Sequence, residues 1–237
     1  MEELEPPWWT PRKAAATRRV LSRETIVAAA LVVLRAEGID GLSMRRVAAE
    51  LDTGAASLYA HVAHKDELLE LLLDAVVADV PVPDPDPARW REQVAQLWTD
   101  CRAALAGNGD IARVALGRVP VGPHSLRIAE GTLALVRAGG VPEQPAAWAV
   151  DVIGMYVAAN AVEGAVNRTL QDAGRDPAEY YAGVTGYFAA LPPDRFPVMT
   201  SLGPFLAAGD GQERFAFGLR LLLDGLAATA GPRPAGP

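Results

Sequence analysis

The stretch LSMRRVAAELDTGAASLYAHVAHKDELL, residues 42–69, decides the fold of the N-terminal part of the chain. Ser43 is a good N-cap for a helix that runs to Leu51, and a second candidate helix at 55–62 follows a turn at 52–54. A helix of that length is unstable alone, because nucleation costs more than a few hydrogen bonds return. Neighbouring helices must hold it, and the two helices together form a helix-turn-helix.

The neighbouring helices come from both sides of this stretch. Ser22 caps a helix that Gly38 ends, and a fourth helix is predicted from His64 to Val80. Apolar residues recur in these helices at the spacing that places them over a shared core. The predicted core residues are Ile26, Ala29, Ala30, Val33 and Leu34 in the first helix, Leu42, Val47, Leu51, Leu58 and Val62 in the motif, and Leu68, Leu71, Leu72, Ala75 and Val76 in the fourth helix.

The outer face of the short helix is left free for binding. In a helix-turn-helix the second helix enters the major groove at its N-terminal end, and Arg45 on the first helix can reach the groove edge. Hydroxyl and imidazole groups suit phosphates and base edges, and Lys65 suits a phosphate. The alternative is that Tyr59 and His61 only cover the surface, because the spacing of the motif alone is weakly specific. The candidate DNA-binding residues are Arg45, Thr53, Ala55, Ala56, Ser57, Tyr59, His61 and Lys65.

The charge of the chain is divided along its length. The formal net charge is −7, yet residues 12–65 carry nine Lys/Arg and five acidic residues, a net charge of +4. Residues 66–237 carry 13 Lys/Arg and 21 acidic residues, a net charge of −8. A basic unit joined to an acidic one is expected where one end of a protein meets phosphates, although chance clustering is the alternative. Residues 1–20 are expected to be a flexible basic arm.

Several classes of protein are not supported. A single cysteine, Cys101, excludes an intrachain disulfide and a cysteine-rich zinc site, which favours a reduced, cytoplasmic setting. No apolar run approaches the roughly 20 residues of a membrane helix, and the N-terminus does not resemble a signal peptide. The three histidines, His61, His64 and His124, lack metal-ligand spacing, and the cysteine has no evident base. An enzyme is therefore not expected.

Helical periodicity continues to the C-terminus, without a strand or hairpin signal. The prolines of PVPDPDP, residues 81–87, break the chain after the fourth helix. Further helices are predicted at about 88–106, 110–118, 123–138, 143–171, 177–190 and 210–229. The expected fold is all-α with about nine or ten helices. We divide it into the arm at 1–20, a three-helix helix-turn-helix DNA-binding domain at 21–66 and a larger ligand-binding and dimerisation domain at 67–237.

The motif resembles the DNA-binding signature of the tetracycline-repressor (TetR) family. LYAH at 58–61 and KDEL at 65–68 stand where that family has Leu-Tyr-x-His followed by Lys-x-x-Leu. Residues 101–117, CRAALAGNGDIARVALG, and residues 215–226, FAFGLRLLLDGL, resemble segments of the subgroup closest to the tetracycline repressor itself. One departure is Asp52-Thr53 in the turn, where the family has Gly-Val; aspartate tolerates a left-handed conformation better than most residues.

The resemblance implies a ligand-responsive transcriptional repressor that binds a palindromic operator as a homodimer and that a small apolar molecule releases. The helix at 143–171 and the last helix carry apolar residues on more than one face, and the resemblance implies that they form a four-helix bundle across a two-fold axis. Two alternatives stay open. The protein could be a DNA-binding activator, or a protein partner rather than a small molecule could control it.

A polar stripe on the helix at 143–171 is formed by Tyr156, Asn160 and Glu163. Polar groups in an apolar body are costly unless paired, so these are either satisfied internally or anchor a ligand in a mostly apolar pocket. By the resemblance, Ala115 replaces the histidine that holds the drug-bound magnesium ion in the tetracycline-binding member, so we expect no metal and no cofactor. The candidate ligand-binding residues are Trp98, Cys101, Ile128, Thr132, Trp148, Tyr156, Asn160 and Glu163.

Overall fold

The computed structural model describes residues 21–108, 110–172, 174–206 and 208–230, with only the backbone for 165–172 and 177. The arm predicted at 1–20 lies outside the described residues. Within them the chain forms helices and no strand, so the all-α class is confirmed. The helices are α1 (Arg23–Gly41), α2 (Met44–Glu50), α3 (Ala55–Tyr59), α4 (Lys65–Val76), α5 (Trp90–Ala106), α6 (Ile111–Leu116), α7 (Pro123–Ala138), α8 (Glu143–Asp172), α9 (Pro177–Ala189), α10 (Pro197–Leu206) and α11 (Gly211–Thr229).

The helix that the sequence does not predict is α10. Pro204 lies inside it, and an internal proline removes a backbone hydrogen bond, so the local pattern reads as a loop. α9 and α10 pack against each other, and none of their described side chains is buried. This pair of helices is therefore held by few contacts with the rest of the subunit.

α1 follows the predicted pattern closely. Its five predicted core residues are all buried, and the Ser22 hydroxyl forms a capping box with Thr25 at its start. Gly38 breaks the helix with φ of 69°, a left-handed conformation that favours glycine, and one short turn continues to Gly41. The end of α1 is thus a kink and not the clean stop that the sequence predicts.

α2 and α3 form the helix-turn-helix. The Ser43 hydroxyl accepts a hydrogen bond from the Arg46 amide at the start of α2. α3 has five residues and ends earlier than predicted, but Leu58 and Val62 are both buried against the neighbouring helices. Asp52 adopts φ of 49° in the turn, so aspartate takes the left-handed position.

α4 joins the N-terminal helices to the rest of the chain, because it packs against α1, α6 and α7. Leu68 and Leu72 are buried as predicted, but Leu69, Leu73 and Asp74 are buried as well. The predicted core positions Leu71, Ala75 and Val76 are only half-buried. The predicted apolar stripe is narrower than the buried surface of α4, because α4 packs against other helices on two sides.

α8 is the centre of the C-terminal part and packs against α5, α6, α7 and α11. The expectation that no apolar run approaches the length of a membrane helix is wrong for α8, whose segment Glu143–Gly164 is long and apolar enough, by length and composition, to cross a membrane, with a mean hydropathy of 1.3. Ile153, Val157 and Ala161 on one side of this segment are buried within the subunit, as in the core helix of a globular protein.

Candidate DNA-binding surface and ligand cavity

The DNA-binding candidates lie on α2, the turn, α3 and the start of α4. Arg45, Ala56, Ser57, Tyr59 and Lys65 are exposed, with 52% of Tyr59 accessible. Thr53, Ala55 and His61 are half-buried. Ala56 and Tyr59 share one face of α3 at a spacing of three residues, while Leu58 points to the core. The short helix is held by its buried side and leaves the other side to solvent.

The cationic side chains near this surface differ in whether they already have a hydrogen-bond or ion-pair partner. Arg46 donates to Glu37 at 2.7 Å and to Glu50 at 2.9 Å. Arg45 is exposed and has no partner among the described residues. The Lys65 ammonium donates to the Ile39 carbonyl at 3.4 Å, a long hydrogen bond at an exposed site. Arg45 is therefore the arginine of α2 that can contact DNA without losing an ion pair.

The start of α4 is tied by hydrogen bonds to α1 and to the segment that follows α3. The Arg23 guanidinium donates to the His61 carbonyl and to the Glu67 carboxylate, both at 2.9 Å. His64 caps α4, its Nδ1 accepting from the Glu67 amide at 3.0 Å, and the Glu67 carboxylate accepts from the Ala63 amide at 2.6 Å. These bonds connect α1, the residues that follow α3 and the first turn of α4, so a movement of α4 would be passed on to the segment that directly follows α3.

A central cavity lies among α4, α5, α7, α8 and a wall segment, residues 115–120, that runs from the end of α6 towards α7. Its volume is about 590 Å³, within the range of small-molecule sites, and its lining is mostly apolar. Of the predicted ligand-binding residues, Trp98, Cys101 and Ile128 line it. Ala115, the residue at the position of the magnesium-holding histidine, lines it too.

Polar groups near the cavity are mostly paired with each other. Thr132 is not part of the cavity lining. Its hydroxyl accepts a hydrogen bond from the Trp98 indole at 3.1 Å and donates one to the Ile128 carbonyl at 2.8 Å. Burial raises the pKa of the Cys101 thiol to about 12, so this side chain is a neutral part of the lining. A ligand in the cavity would therefore meet mainly apolar surface and few free hydrogen-bonding groups.

The structure does not place the other four candidates on the cavity wall. Trp148 is 64% exposed on the outer side of α8, and Glu163 is also exposed. The Tyr156 ring stacks on Phe215, and its hydroxyl donates to the Phe215 carbonyl at 2.9 Å. Asn160 accepts a hydrogen bond from Arg102. The cavity is lined from α8 by residues at other helical angles: Ala147, Val150, Asp151, Gly154, Met155 and Ala158.

Two charged cavity residues escape the sequence analysis, Arg118 and Asp151. A sequence signal for the second exists, because Asp151 is the only charged residue between Glu143 and Glu163. A lone carboxylate within an apolar helical stretch is a departure that asks for an explanation. Arg118, by contrast, follows α6 in a loop whose path depends on tertiary contacts.

The wall segment is attached to α4. The Arg118 guanidinium binds the carboxylates of Asp66 and Glu70, the second at 3.0 Å. Further along, the buried Asp74 carboxylate of α4 accepts from the Ser125 amide at 2.8 Å, in the first turn of α7. A Cβ at Gly122 would lie 2.2 Å from Asp74, so this close approach requires glycine. α4 also touches the cavity directly through Leu73.

Large apolar side chains are exposed on the outer faces of α8 and α11. They are Trp148 and Val152 on α8, with Met155 at the border between this face and the cavity, and Phe217 and Leu221 on α11. Exposed apolar patches of this kind mark protein interfaces. The two helices pack against each other in the subunit, so their outer faces lie on neighbouring elements.

Comparison with known proteins gives matches along most of the chain. Residues 26–72 match the profile of bacterial regulatory proteins of the tetR family, and residues 82–230 match the tetracyclin repressor-like C-terminal domain. A transcriptional regulator of the helix-turn-helix type from Saccharopolyspora erythraea is 32% identical over 94% of this chain and 92% of its own length. The transcriptional repressor DrrR1 of Streptomyces coeruleorubidus is 34% identical over 97% of this chain and 86% of its own length.

Solved structures give the same result. Apo ActR from Streptomyces coelicolor is 40% identical, with a TM-score of 0.81 over 89% of this chain and 97% of that one. ActR in complex with actinorhodin has a TM-score of 0.82 over 90% of this chain and 98% of that one, at the same identity.

Proposed function

The chain belongs to the TetR family of transcriptional regulators, and from that premise we propose that it is a cytoplasmic repressor that binds a near-palindromic operator as a homodimer and leaves it when an apolar polycyclic molecule fills the central cavity. As a member of this family it is a DNA-binding regulator and not an enzyme. We assign the operator contacts to residues 21–66 and ligand binding and dimerisation to residues 67–237. The eight candidate residues on α2 to α4 would form each half-site contact.

The observation that carries the proposal is the attachment of the cavity wall to α4. A ligand in the cavity touches the wall segment, and Arg118 within that segment holds Asp66 and Glu70 at the start of α4. Arg23 of α1 links Glu67 in the first turn of α4 to the His61 carbonyl just after α3, so α4 would carry α3 with it. A ligand that favours one position of α4 would therefore change the separation of the two recognition helices from one DNA turn, roughly 34 Å.

The lining favours an apolar ligand. Trp98, Ile128 and Met155 supply apolar area, and the indole of Trp98 is already paired with Thr132. The relative ActR binds actinorhodin, which makes that compound the first one to test. A magnesium–tetracycline chelate is not expected, because Ala115 offers no metal ligand and hard cations need oxygen or similar donors.

The test starts with selection of bound DNA from a random pool by the full chain. Release from the selected DNA is then followed by fluorescence anisotropy during titration with actinorhodin, and with tetracycline plus magnesium as the comparison. A panel of other polycyclic compounds is titrated in the same way, and we expect release at micromolar concentration by at least one polycyclic compound. Magnesium-dependent release by tetracycline, or failure of a broad polycyclic panel to release DNA, would contradict the proposal.

The homodimer is supported by the exposed apolar faces of α8 and α11. Replacing Phe217 or Leu221 by arginine would bury an unpaired charge in the proposed interface, so these variants should sediment as monomers and lose operator affinity. Phe205→Arg, at a residue of α10 that is also exposed, is the matched control. Loss of dimers in the control alone would move the interface to α10.

Control by a protein partner is the second candidate function. The exposed apolar residues of α9 and α10, among them Tyr187, Val198 and Phe205, favour it. If a protein rather than a small molecule released the DNA, substitutions on α9 and α10 would abolish regulation and substitutions in the cavity would not. The same release assay, with Val198→Ser and Ala129→Trp in parallel, separates the two candidates.

A further inference from the structure

The two charged side chains that line the central cavity differ in whether they are free to bind a ligand. Arg118 and Asp151 are the charged residues that line it. The Arg118 side chain is 28% exposed, and its guanidinium is bound by the carboxylates of Asp66 and Glu70. One cation faced by two anions leaves a local excess of negative charge. Arg118 therefore has no positive charge to spare for a ligand.

Asp151 is in the opposite situation. Its side chain is exposed at the cavity, and the described residues include neither a hydrogen-bond nor an ion-pair partner for its carboxylate. Glu143 and Glu163, the nearest charged residues of α8 along the sequence, are each more than two helical turns away. The carboxylate thus stands without a partner at the edge of an apolar cavity, where low-dielectric walls on one side strengthen its attraction for a cation.

We propose that the ligand of this cavity carries a protonated amine on its apolar polycyclic body and that Asp151 receives that amine. The inference rests on the proposed function and specifies the charge of the ligand. The body occupies the space beside Trp98 and Ile128, and the ammonium group reaches the edge of the cavity on the α8 side. An anionic ligand is disfavoured, because it meets Asp151 without a free cation to compensate.

The position of Asp151 on α8 supports a role in the cavity. Val150, Gly154 and Ala158 line the cavity from neighbouring turns of the same helix, so the carboxylate lies on the face that a ligand would contact. Trp148 and Val152, on the proposed subunit interface, are its near neighbours in sequence. A role in subunit contact is the competing explanation, and the experiment must separate the two.

The experiment uses three probes with one three-ring body. They are 2-(aminomethyl)anthraquinone, its neutral N-acetyl derivative and anthraquinone-2-carboxylate, each titrated into the full chain by calorimetry at pH 7. We expect the amine to bind about fivefold more tightly than the amide, and the carboxylate to bind more weakly than the amide. Asp151→Asn should remove the preference for the amine and leave binding of the amide unchanged. Asp194→Asn, at an exposed aspartate outside the lining, is the matched control and should keep the preference.

The outcomes separate the inference from the proposed function. Equal binding of all three probes, or an amine preference that survives in Asp151→Asn, would overturn the assignment of Asp151. Failure of every probe to bind would contradict the apolar polycyclic ligand itself, and the inference would fall with it. Sedimentation of Asp151→Asn completes the test: weaker dimers with an intact amine preference would assign the carboxylate to the subunit contact instead.

Discussion

α3 and α7 differ in which side chains they bury: α3 buries an apolar side chain and exposes polar ones, whereas α7 buries a polar side chain and presents apolar ones. α3 buries Leu58 and leaves Ser57 and Tyr59 exposed, so its polar side chains are available and its apolar one is not. On α7, Thr132 is buried and engaged with Trp98, while Ile128 and Leu126 line the cavity. α3 therefore leaves its polar groups free to contact a partner, and α7 leaves its apolar groups free.

The difference follows from the partners. DNA presents phosphates and base edges, which hydroxyl and guanidinium groups recognise, whereas a polycyclic ligand presents mainly apolar area. A surface that reads DNA can be built from a short motif, since its neighbours only need to hold it. A cavity needs α4, α5, α7, α8 and the wall segment together, and its lining depends on how each helix is rotated.

Leu58→Ala should have the largest effect on this comparison. Leu58 is fully buried, and removing it should lower the free energy of unfolding of the N-terminal helices by about 2–5 kcal/mol and abolish operator binding. Ligand affinity should change little, because the cavity does not include α3. Chemical denaturation and calorimetry measure both, with the exposed Val32→Ala as control. An equal loss of ligand affinity would mean that the two regions are not separable.

Arg45→Ala should sharpen the description of the DNA-binding surface. The side chain is exposed and without a partner among the described residues, so its loss should relax base preference at one position of each half-site by about 1–3 kcal/mol with little change in stability. Arg46→Ala is the matched variant, because Arg46 is held by Glu37 and Glu50. Selection from a random pool measures both, and a relaxed preference in Arg46→Ala instead would reverse the assignment.

The pH dependence of stability should distinguish the cavity from the exposed DNA-binding surface. Burial raises the pKa of Cys101 from 9.0 to about 12, so above pH 9 the unfolded chain releases a proton that the folded chain keeps. Cys101 should therefore lower the free energy of unfolding by about 1.4 kcal/mol per pH unit above pH 9, and should have no such effect below it. Urea denaturation of the wild type and Cys101→Ala at pH 8, 9 and 10 gives this contribution as a difference. A difference that is constant across these pH values would contradict it.

Asp52→Gly should stabilise the turn before α3. Asp52 has φ of 49°, a conformation that glycine adopts at no steric cost, so the substitution should raise the free energy of unfolding by about 0.5–1 kcal/mol. Operator preference should stay the same, since the turn positions α3 but Asp52 is not among its candidate contacts. Thermal denaturation measures the gain. A loss of stability would show that the Asp52 side chain contributes more than its backbone conformation costs.

Arg118→Ala should have only a small effect on stability and still affect both regions. Its ion pairs with Asp66 and Glu70 are partly exposed, so the free energy of unfolding should fall by less than about 1 kcal/mol. Ligand affinity should persist, but the ligand should release DNA less effectively. Arg137→Ala, which removes an exposed ion pair with Glu143, is the control. The ratio of ligand affinities with and without operator measures the coupling, and an unchanged ratio would exclude Arg118 as the link.

The same contrast explains what the sequence could predict. In α1 the buried stripe was predicted residue by residue, because one apolar face and one cap leave a single arrangement. In α8 the sequence leaves open whether Tyr156, Asn160 and Glu163 anchor a ligand or are satisfied internally, because both sides of this helix are rich in apolar residues and periodicity cannot say which side faces the cavity. Its rotation is set by contacts with α5, α6, α7 and α11.

The bond between Asp74 and the first turn of α7 has a consequence for protein engineering. A chimeric biosensor can be made by exchanging the DNA-binding and ligand-binding parts of two relatives. A splice at residue 66 would cut inside α4, between its first residues and Asp74. A splice between Asp74 and residue 122 would instead pair one parent's α4 with the other parent's 122–125 turn. Gly122 leaves no room for a Cβ beside Asp74, and the Ser125 amide depends on that carboxylate. α4 and the 115–125 region should therefore be transplanted as one cassette, with the junction placed in the residues that precede α4.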